Sequence, residues 1–233
     1  MRVAVVIPAY QEQQHIESLV VKVKAVSGLE AIYVVDDGSV DKTADLATAA
    51  GAIVIKHEVN MGVGAALRSG FSRAQRDGAD IIVVMGGDNQ DNPNQISRLV
   101  KPISEEGYDL VQGSRWLAGG STQDIPLFRR VTTKIYASIL SFCTGFSFTD
   151  GTNGFRAFKV SALEVIKLDA KWLNRYELEP YILYKAVKLG LKIKEVGVTK
   201  SYFIDKGYTK MIPVVDWWRI LRPIIFLKFG IKK

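Results

Sequence analysis

The stretch DIIVVMGGDNQDNP, residues 80–93, runs an unbroken set of apolar residues into Gly86 and Gly87 and then into Asp88, Asn89, Gln90 and Asp91. An apolar run without polar alternation describes a strand buried on both faces, as in a parallel sheet covered by helices. Four other runs repeat the pattern: RVAVVIP (2–8), AIYVVDD (31–37), AIVIKH (52–57) and YDLVQGS (108–114). Between them fall helical patterns around Ile16, Leu19, Val20 and Val23, over 43–50, about 62–76 and about 94–105. Strand–helix alternation of this kind predicts an α/β fold with helices on both faces of a mostly parallel sheet. Ligands of such sheets bind beyond the carboxyl ends of the strands. Three predicted strand ends carry polar clusters, at 10–12, 36–39 and 88–91, which points to a site there.

The 233 residues, 48% hydrophobic and 24% charged, suffice for a sizeable core and argue against disorder. The single cysteine, Cys143, excludes an intrachain disulfide and suits a reducing compartment. The N-terminal apolar run is too short for a signal peptide and reads as the first strand. The longest charge-free run, 135–149, has 15 residues with Ser138, Ser141, Thr144 and Gly145 inside it. A spanning helix needs about 20 mostly apolar residues, so contact with a membrane is expected and crossing is not. The formal charge of +7 is unevenly placed. Residues 1–120 hold 11 Lys+Arg against 15 Asp+Glu, and residues 121–233 hold 20 against 9. A basic second half suits an anionic partner, whether nucleic acid, a membrane surface or a phosphorylated substrate, although a solvated lysine-rich face has the same composition.

After Arg115 the pattern changes. A loop-like stretch, 116–125, leads to FRRVTTKIYASILSFC (128–143), where Val131, Ile135, Ile139 and Phe142 share one helical stripe. DGTNGFRAFKV (150–160) is a turn entering a strand, YELEPYILYKAVKLG (176–190) a helix stopped by Gly190, and LKIKEVGVTKSYF (191–203) an alternating strand. Near the end, Trp217 and Trp218 interleave with Arg219, Arg222 and Lys228, the composition of a helix lying in a bilayer interface. A core-packed helix with a basic outer face is the alternative, and the helix over 129–143 is open to the same two readings.

The strand ends carry the chemistry. Asp37 is placed to hydrogen-bond a nucleobase or ribose, whereas Ser39 and Asp41 suit turn formation and capping of the next helix. Gly62 and Gly64 lack the third small residue of a dinucleotide fingerprint, so close packing of their helix on the sheet is expected. Gly86 and Gly87 let the backbone turn and approach a ligand closely. Asp88 and Gln90 then offer the hard oxygens that Mg²⁺ or Mn²⁺ accepts, phosphates and water completing the set.

Taken in order, VVIPAYQEQ, VVDDGSVDKT, NMGVGAALRSGF, MGGDNQDNP, GSRW and DGTNGFRAF resemble the family 2 glycosyltransferases, and more narrowly the dolichyl- or polyprenyl-phosphate sugar synthases, over roughly residues 2–212. The resemblance implies a GT-A fold, which is Rossmann-like, a nucleotide-sugar donor, a divalent metal and inversion at the anomeric carbon. It divides the chain into a glycosyltransferase domain, 1–212, and an amphipathic tail, 213–233. Within the domain, 1–115 would bind the nucleotide sugar and 116–212 the acceptor. By position it assigns Pro8, Ala9, Tyr10, Glu12, Val35, Asp37, Gly87, Asp88 and Asn89 to the donor nucleotide. Asp88 and Gln90 become the metal ligands. Gly86 stands where the family has the first Asp of its Asp-x-Asp-x-Gln motif, with Asp91 a candidate substitute. Arg115, Arg129, Thr133 and Lys210 are assigned to the acceptor phosphate, and Lys206 is a candidate for a family arginine that is not clearly present. Asp88 and Arg115 carry the catalytic role.

An acceptor phosphate is already an anion, so positioning and charge stabilisation suffice. A saccharide hydroxyl would instead call for a carboxylate base, with Asp150, Glu177 and Glu179 the candidates. The expected reading is a metal-dependent hexosyltransferase acting on a lipid phosphate at the cytosolic face of a membrane, peripheral to it and without a nucleic-acid partner.

Overall fold

Strands apolar on both faces must be covered on both sides, and the computed structural model of the protein, which describes residues 1–202 and 214–231, shows how. The strands are β1 (Val3–Ala9), β2 (Ala31–Asp36), β3 (Ile53–Lys56), β4 (Ile81–Val84), β5 (Leu110–Ser114), β6 (Ser121–Gln123), β7 (Arg156–Lys159), β8 (Ile193–Gly197) and β9 (Thr199–Ser201). The helices are α1 (Ile16–Lys24), α2 (Thr43–Ala49), α3 (Val63–Arg76), α4 (Ile96–Glu106), α5 (Leu127–Thr144), α6 (Val160–Ile166), α7 (Leu178–Lys188) and α8 (Val215–Lys228). Seven strands form one sheet in the order β3-β2-β1-β4-β7-β5-β8, and β6 pairs with β9 beside it.

The alternation of β1 explains the two-sided core. Ala4 and Val6 face Ala66, Leu67 and Phe71 of α3. Val3, Val5 and Ile7 face Ile16, Leu19 and Val20 of α1 together with Ile96, Leu99 and Ile103 of α4. Full burial of each such aliphatic side chain contributes about 1.5–3 kcal/mol, so the strand cannot slip by one residue without inverting both cores. Gly190, at φ +71°, follows α7 in the left-handed conformation that a helix stop favours.

One strand breaks the parallel pattern. β7 lies between β4 and β5 and is antiparallel to both. Its amino-terminal end therefore sits with the carboxyl ends of its neighbours. The loop 150–155 is delivered to the same edge as the three polar clusters.

One expectation needs correction. Gly62 and Gly64 do not touch the sheet: a Cβ at Gly64 would lie 2.1 Å from the Leu173 carbonyl oxygen, and one at Gly62 2.5 Å from that of Asn174. The close approach of α3 to the sheet is at Gly70, where a Cβ would meet Val6 Cγ1 at 2.3 Å. Of the two readings open for α5, the structure leaves its apolar stripe exposed. Thr133, Tyr136, Ala137, Leu140 and Thr144 face inward, while Val131, Ile135, Ile139 and Phe142 are exposed, the last by 82%.

Helix α8 divides its residues between body and solvent. Ile220 and Ile224 join the core, and Trp217 packs against it, while Trp218, Ile225 and Phe229 face out. Arg222 bonds Glu177, and Arg219 bonds Asp216 at 2.7 Å, so neither arginine belongs to a free basic face. No helix among the described residues is long and apolar enough to cross a membrane.

Candidate active site

The three strand-end clusters converge as the topology requires. The loop after β1 is tied to the loop after β2: the Gln11 amide donates to Ser39 Oγ at 2.9 Å and the Glu12 amide to Thr43 Oγ1 at 2.8 Å. Asp41 accepts the Thr43 amide at 3.0 Å, the turn role expected of it, while Ser39 holds the neighbouring loop instead of capping α2. The loop after β4 packs on the end of β1. A Cβ at Gly87 would lie 3.0 Å from the Pro8 carbonyl oxygen, so this glycine serves close approach. The left-handed turn falls at Asn89, φ +56°, and not at either glycine.

These loops border a cavity of about 740 Å³ that extends across the sheet edge to α5, α7 and α8. Pro8, Ala9, Tyr10, Glu12, Asp37, Gly87, Asp88 and Gln90 line it, as do Arg115, Arg129 and Thr133. Two residues assigned to the donor do not. Val35 is fully buried in the core beneath α3, and Asn89 points to α1, donating to Ser18 Oγ at 3.3 Å and accepting from Lys22 Nζ at 3.3 Å. Lys210 and Lys206 lie outside the described residues.

Asp37 is buried and heavily engaged. Its carboxylate accepts the Met61 amide at 2.9 Å and the Gly62 amide at 2.7 Å, and lies 2.7 Å from His57 Nδ1, whose Nε2 is 2.9 Å from Ser69 Oγ. A base contact by Asp37 would use the lone pairs these donors leave.

Asp88 accepts the Gln90 amide at 3.2 Å, and the Gln90 side chain lines the cavity without a side-chain hydrogen bond among the described residues. The pair supplies one carboxylate and one amide oxygen, donors that fit a hard divalent cation. Among the described residues no group of three His, Cys, Asp or Glu gathers to hold a metal. Asp91 is not a spare donor: its Oδ2 accepts the Gly86 amide at 3.2 Å and its Oδ1 the Lys200 ammonium at 2.8 Å.

Across the cavity, the Arg115 guanidinium is consumed internally. Nε and Nη2 each lie 2.6 Å from an Asp150 carboxylate oxygen, Nη1 donates to the Tyr202 hydroxyl, and Nη2 also reaches Thr152 Oγ1 at 2.8 Å. Burial pulls the Arg115 pKa down, but Asp150 outweighs it and holds the group above its usual value. The Asp150 loop is itself held by Glu195, which accepts the Thr149 amide at 2.7 Å and the Asp150 amide at 3.1 Å. In this arrangement Arg115 lines the cavity with most of its N–H groups committed to Asp150, Tyr202 and Thr152.

Arg129 stacks over the Tyr202 ring at 5.2 Å, and Thr133 Oγ1 donates to the Arg130 carbonyl at 3.1 Å. Sequence reasoning missed Lys200 and Tyr202, which both line the cavity. Burial lowers the Lys200 pKa, but Asp91 and then Asp88 outweigh it and hold the ammonium above its usual value. A lysine in an alternating strand carries no local signal of such a partner. The three carboxylates considered as bases are all paired: Asp150 with Arg115, Glu177 with Arg222, and Glu179 with Arg156 at 3.2 Å. Of these, Glu179 alone lines the cavity.

The glycosyl transferase family 2 model matches residues 4–167, which include β1, the donor-side loops and β7. The chain belongs to glycosyl transferase family 2. An uncharacterized protein of Methanocaldococcus jannaschii is 34% identical over 96% of this chain and 91% of its own. The UDP-N-acetylglucosamine–dolichyl-phosphate N-acetylglucosaminyltransferase of Methanococcus voltae is 31% identical over 97% and 95%. The polyprenol monophosphomannose synthase of Mycolicibacterium smegmatis is 32% identical over 85% and 77%. The fold matches that of Mycobacterium tuberculosis glucosyl-3-phosphoglycerate synthase, solved with Mn²⁺, UDP and glucosyl-3-phosphoglycerate. That match has a TM-score of 0.74 and 21% identity, and covers 100% of this chain and 81% of the other. This family 2 glycosyltransferase thus has the GT-A architecture expected from its sequence.

Proposed function

We propose that this glycosyltransferase moves a sugar from a nucleoside diphosphate carrier to a polyprenyl or dolichyl phosphate, with inversion, at the cytosolic face of a membrane. The observation that carries the reading is the charge state of the acceptor side. Its lining carboxylates, Glu179 and Asp216, are both in ion pairs, while Arg129 and Lys200 bring positive charge to the same wall. An acceptor wall whose carboxylates, among the described residues, are both in ion pairs suits a nucleophile that is already an anion. The phosphate oxygen attacks the anomeric carbon, the bond to the departing nucleoside diphosphate breaks, and the electron pair leaves with the diphosphate.

The chain's own residues then have separate tasks. Asp37 and the 10–12 loop seat the nucleoside. Asp88 and Gln90 hold a Mg²⁺ or Mn²⁺ that, when bound, neutralises the leaving diphosphate. Arg129, Thr133 and Lys200 seat the acceptor, with Lys210 as a further cation. Arg115 fixes Asp150, Thr152 and Tyr202 in place.

The exposed face of α5 supports a lipid acceptor. Leu127, Phe128, Val131, Ile135, Ile139 and Phe142 form an apolar strip, and Lys228 lies 4.6 Å from the Phe142 ring. An apolar strip flanked by cations suits an anionic bilayer interface. The sequence relatives named for lipid-phosphate acceptors support the same reading.

The test is a panel of labelled UDP- and GDP-sugars offered with polyprenyl phosphate or with an oligosaccharide, with and without EDTA. Label should pass to the organic phase, should require divalent metal, and should be lost on Asp88→Asn. Transfer only to the oligosaccharide, or full transfer in excess EDTA, would overturn the proposal.

A further inference from the structure

The loop that stands for the family's metal motif carries two aspartates, and the structure treats them oppositely. Asp88 lines the cavity. Asp91 is sealed beneath it, its side chain fully buried, with one oxygen on the Gly86 amide and the other on Lys200. The contact is built from both chains of atoms. Asp91 and Lys200 form an isolated antiparallel bridge, and the Ser201 amide donates to the Gln90 carbonyl at 2.9 Å. The Lys200 ammonium is 12% exposed and has one acceptor, Asp91, among the described residues. Two of its N–H bonds remain for the cavity it lines.

Gly86 occupies the position of the missing first carboxylate, and its amide is fastened to Asp91, the candidate substitute. We propose that Lys200 is a tethered cation that occupies Asp91 and keeps it out of the divalent-metal shell, so that the 86–91 loop takes up metal only together with a nucleoside diphosphate.

Divalent-ion affinity rises with the number of ligand charges, and one carboxylate with one amide oxygen is a poor set. A fixed ammonium beside them repels a second cation and attracts a diphosphate. Metal and diphosphate then each supply what the other lacks, and binding becomes mutually dependent. A loop with two available carboxylates would instead load metal first and hold it after the diphosphate departs.

The proposal rests on the metal assignment to Asp88 and Gln90, and the experiment separates the two. Mn²⁺ uptake is read from loss of the free-ion EPR signal beyond that of matched protein-free samples, with no added nucleotide and with UDP or GDP, on wild type, Lys200→Met and Lys200→Gln. The glutamine variant removes the charge but keeps an N–H for Asp91, so it decides the matter if the methionine variant fails to fold.

Wild type should bind Mn²⁺ weakly alone and more tightly with one of the nucleotides. Either Lys200 variant should tighten nucleotide-free Mn²⁺ binding by about tenfold or more, since a unit charge has been removed beside the ion. The double variant Asp91→Asn with Lys200→Met should lose that gain. Nucleotide-free affinity equal in wild type and variants overturns the inference and leaves the metal assignment standing, and so does a gain that persists in the double variant. A wild type that takes up no Mn²⁺ with either nucleotide overturns the metal assignment itself.

Discussion

Replacing Arg115 with methionine separates two roles for the residue, strut and phosphate ligand. The structure gives the Arg115 side chain 3% exposure and Asp150 none, with two 2.6 Å contacts between them and further bonds to Tyr202 and Thr152. Arg115→Met leaves the Asp150 carboxylate buried and without its cation. Removing one partner of a buried ion pair costs about 3–5 kcal/mol, because the survivor keeps its desolvation penalty. Asp150→Asn strands the guanidinium in the same way. The double variant Arg115→Met with Asp150→Asn has no stranded charge, so a favourable coupling of about 2–3 kcal/mol is expected from the cycle. Urea unfolding followed by tryptophan fluorescence supplies the free energies, with unchanged m-values required for the comparison. Should Arg115→Met unfold at the wild-type midpoint while transfer collapses, the guanidinium is not a strut. Its partner would then be an acceptor phosphate, as sequence reasoning alone expects.

Three further outcomes follow from the geometry. Glu179→Gln should leave transfer to polyprenyl phosphate within about threefold of wild type, whereas a loss of about a hundredfold or more, the scale of general-base catalysis, would mark Glu179 as a base for a hydroxyl acceptor. Ile135→Asp with Phe142→Asp should weaken flotation with anionic vesicles without lowering the melting temperature, since both residues are exposed; unchanged flotation would remove α5 from the membrane face. Burial and then the 2.7 Å bond to Asp77 push the Tyr33 phenol up to about 12. The unfolded phenol ionises near about 10, so this group's contribution is complete below that value and is lost as pH rises through about 12. Tyr33→Phe should therefore flatten the alkaline limb of the stability curve, and an unchanged limb would refute the assignment.

The donor half was legible because its signals are local. A run such as 81–85 reports its own burial through composition, and the turn chemistry of Asp41 is visible within three residues of the helix it serves. Asp37, Asp88 and Gln90 could be placed at one edge because parallel strands all end there. Where the local signal misled, a second element had decided the outcome. Val35 and Asn89 adjoin functional residues in sequence, but strand pleat turns one into the core and the left-handed turn at residue 89 directs the other to α1. The apolar stripe of α5 gives a period but no direction, and it is Tyr136 and Leu140 that join the core with residues of α7 and α8.

The acceptor half resisted because its decisive contacts are long-range. Arg115 meets Asp150 across 35 residues and Asp91 meets Lys200 across 109, and neither pairing leaves a mark on spacing. The first depends on β7 entering the sheet antiparallel, which carries the 150–155 loop to the edge where β5 ends, and the second on β8, parallel to β5, leading Lys200 to the same edge. Strand direction is set by the partner strands, not by RAFK itself. Arg219 and Arg222 of the basic half, like Arg115 before it, are spent on buried carboxylates. Lys200 lines the cavity while paired with Asp91, and Arg129 lines it while stacked over the Tyr202 ring. A net charge therefore overstates how many cations lie outside ion pairs.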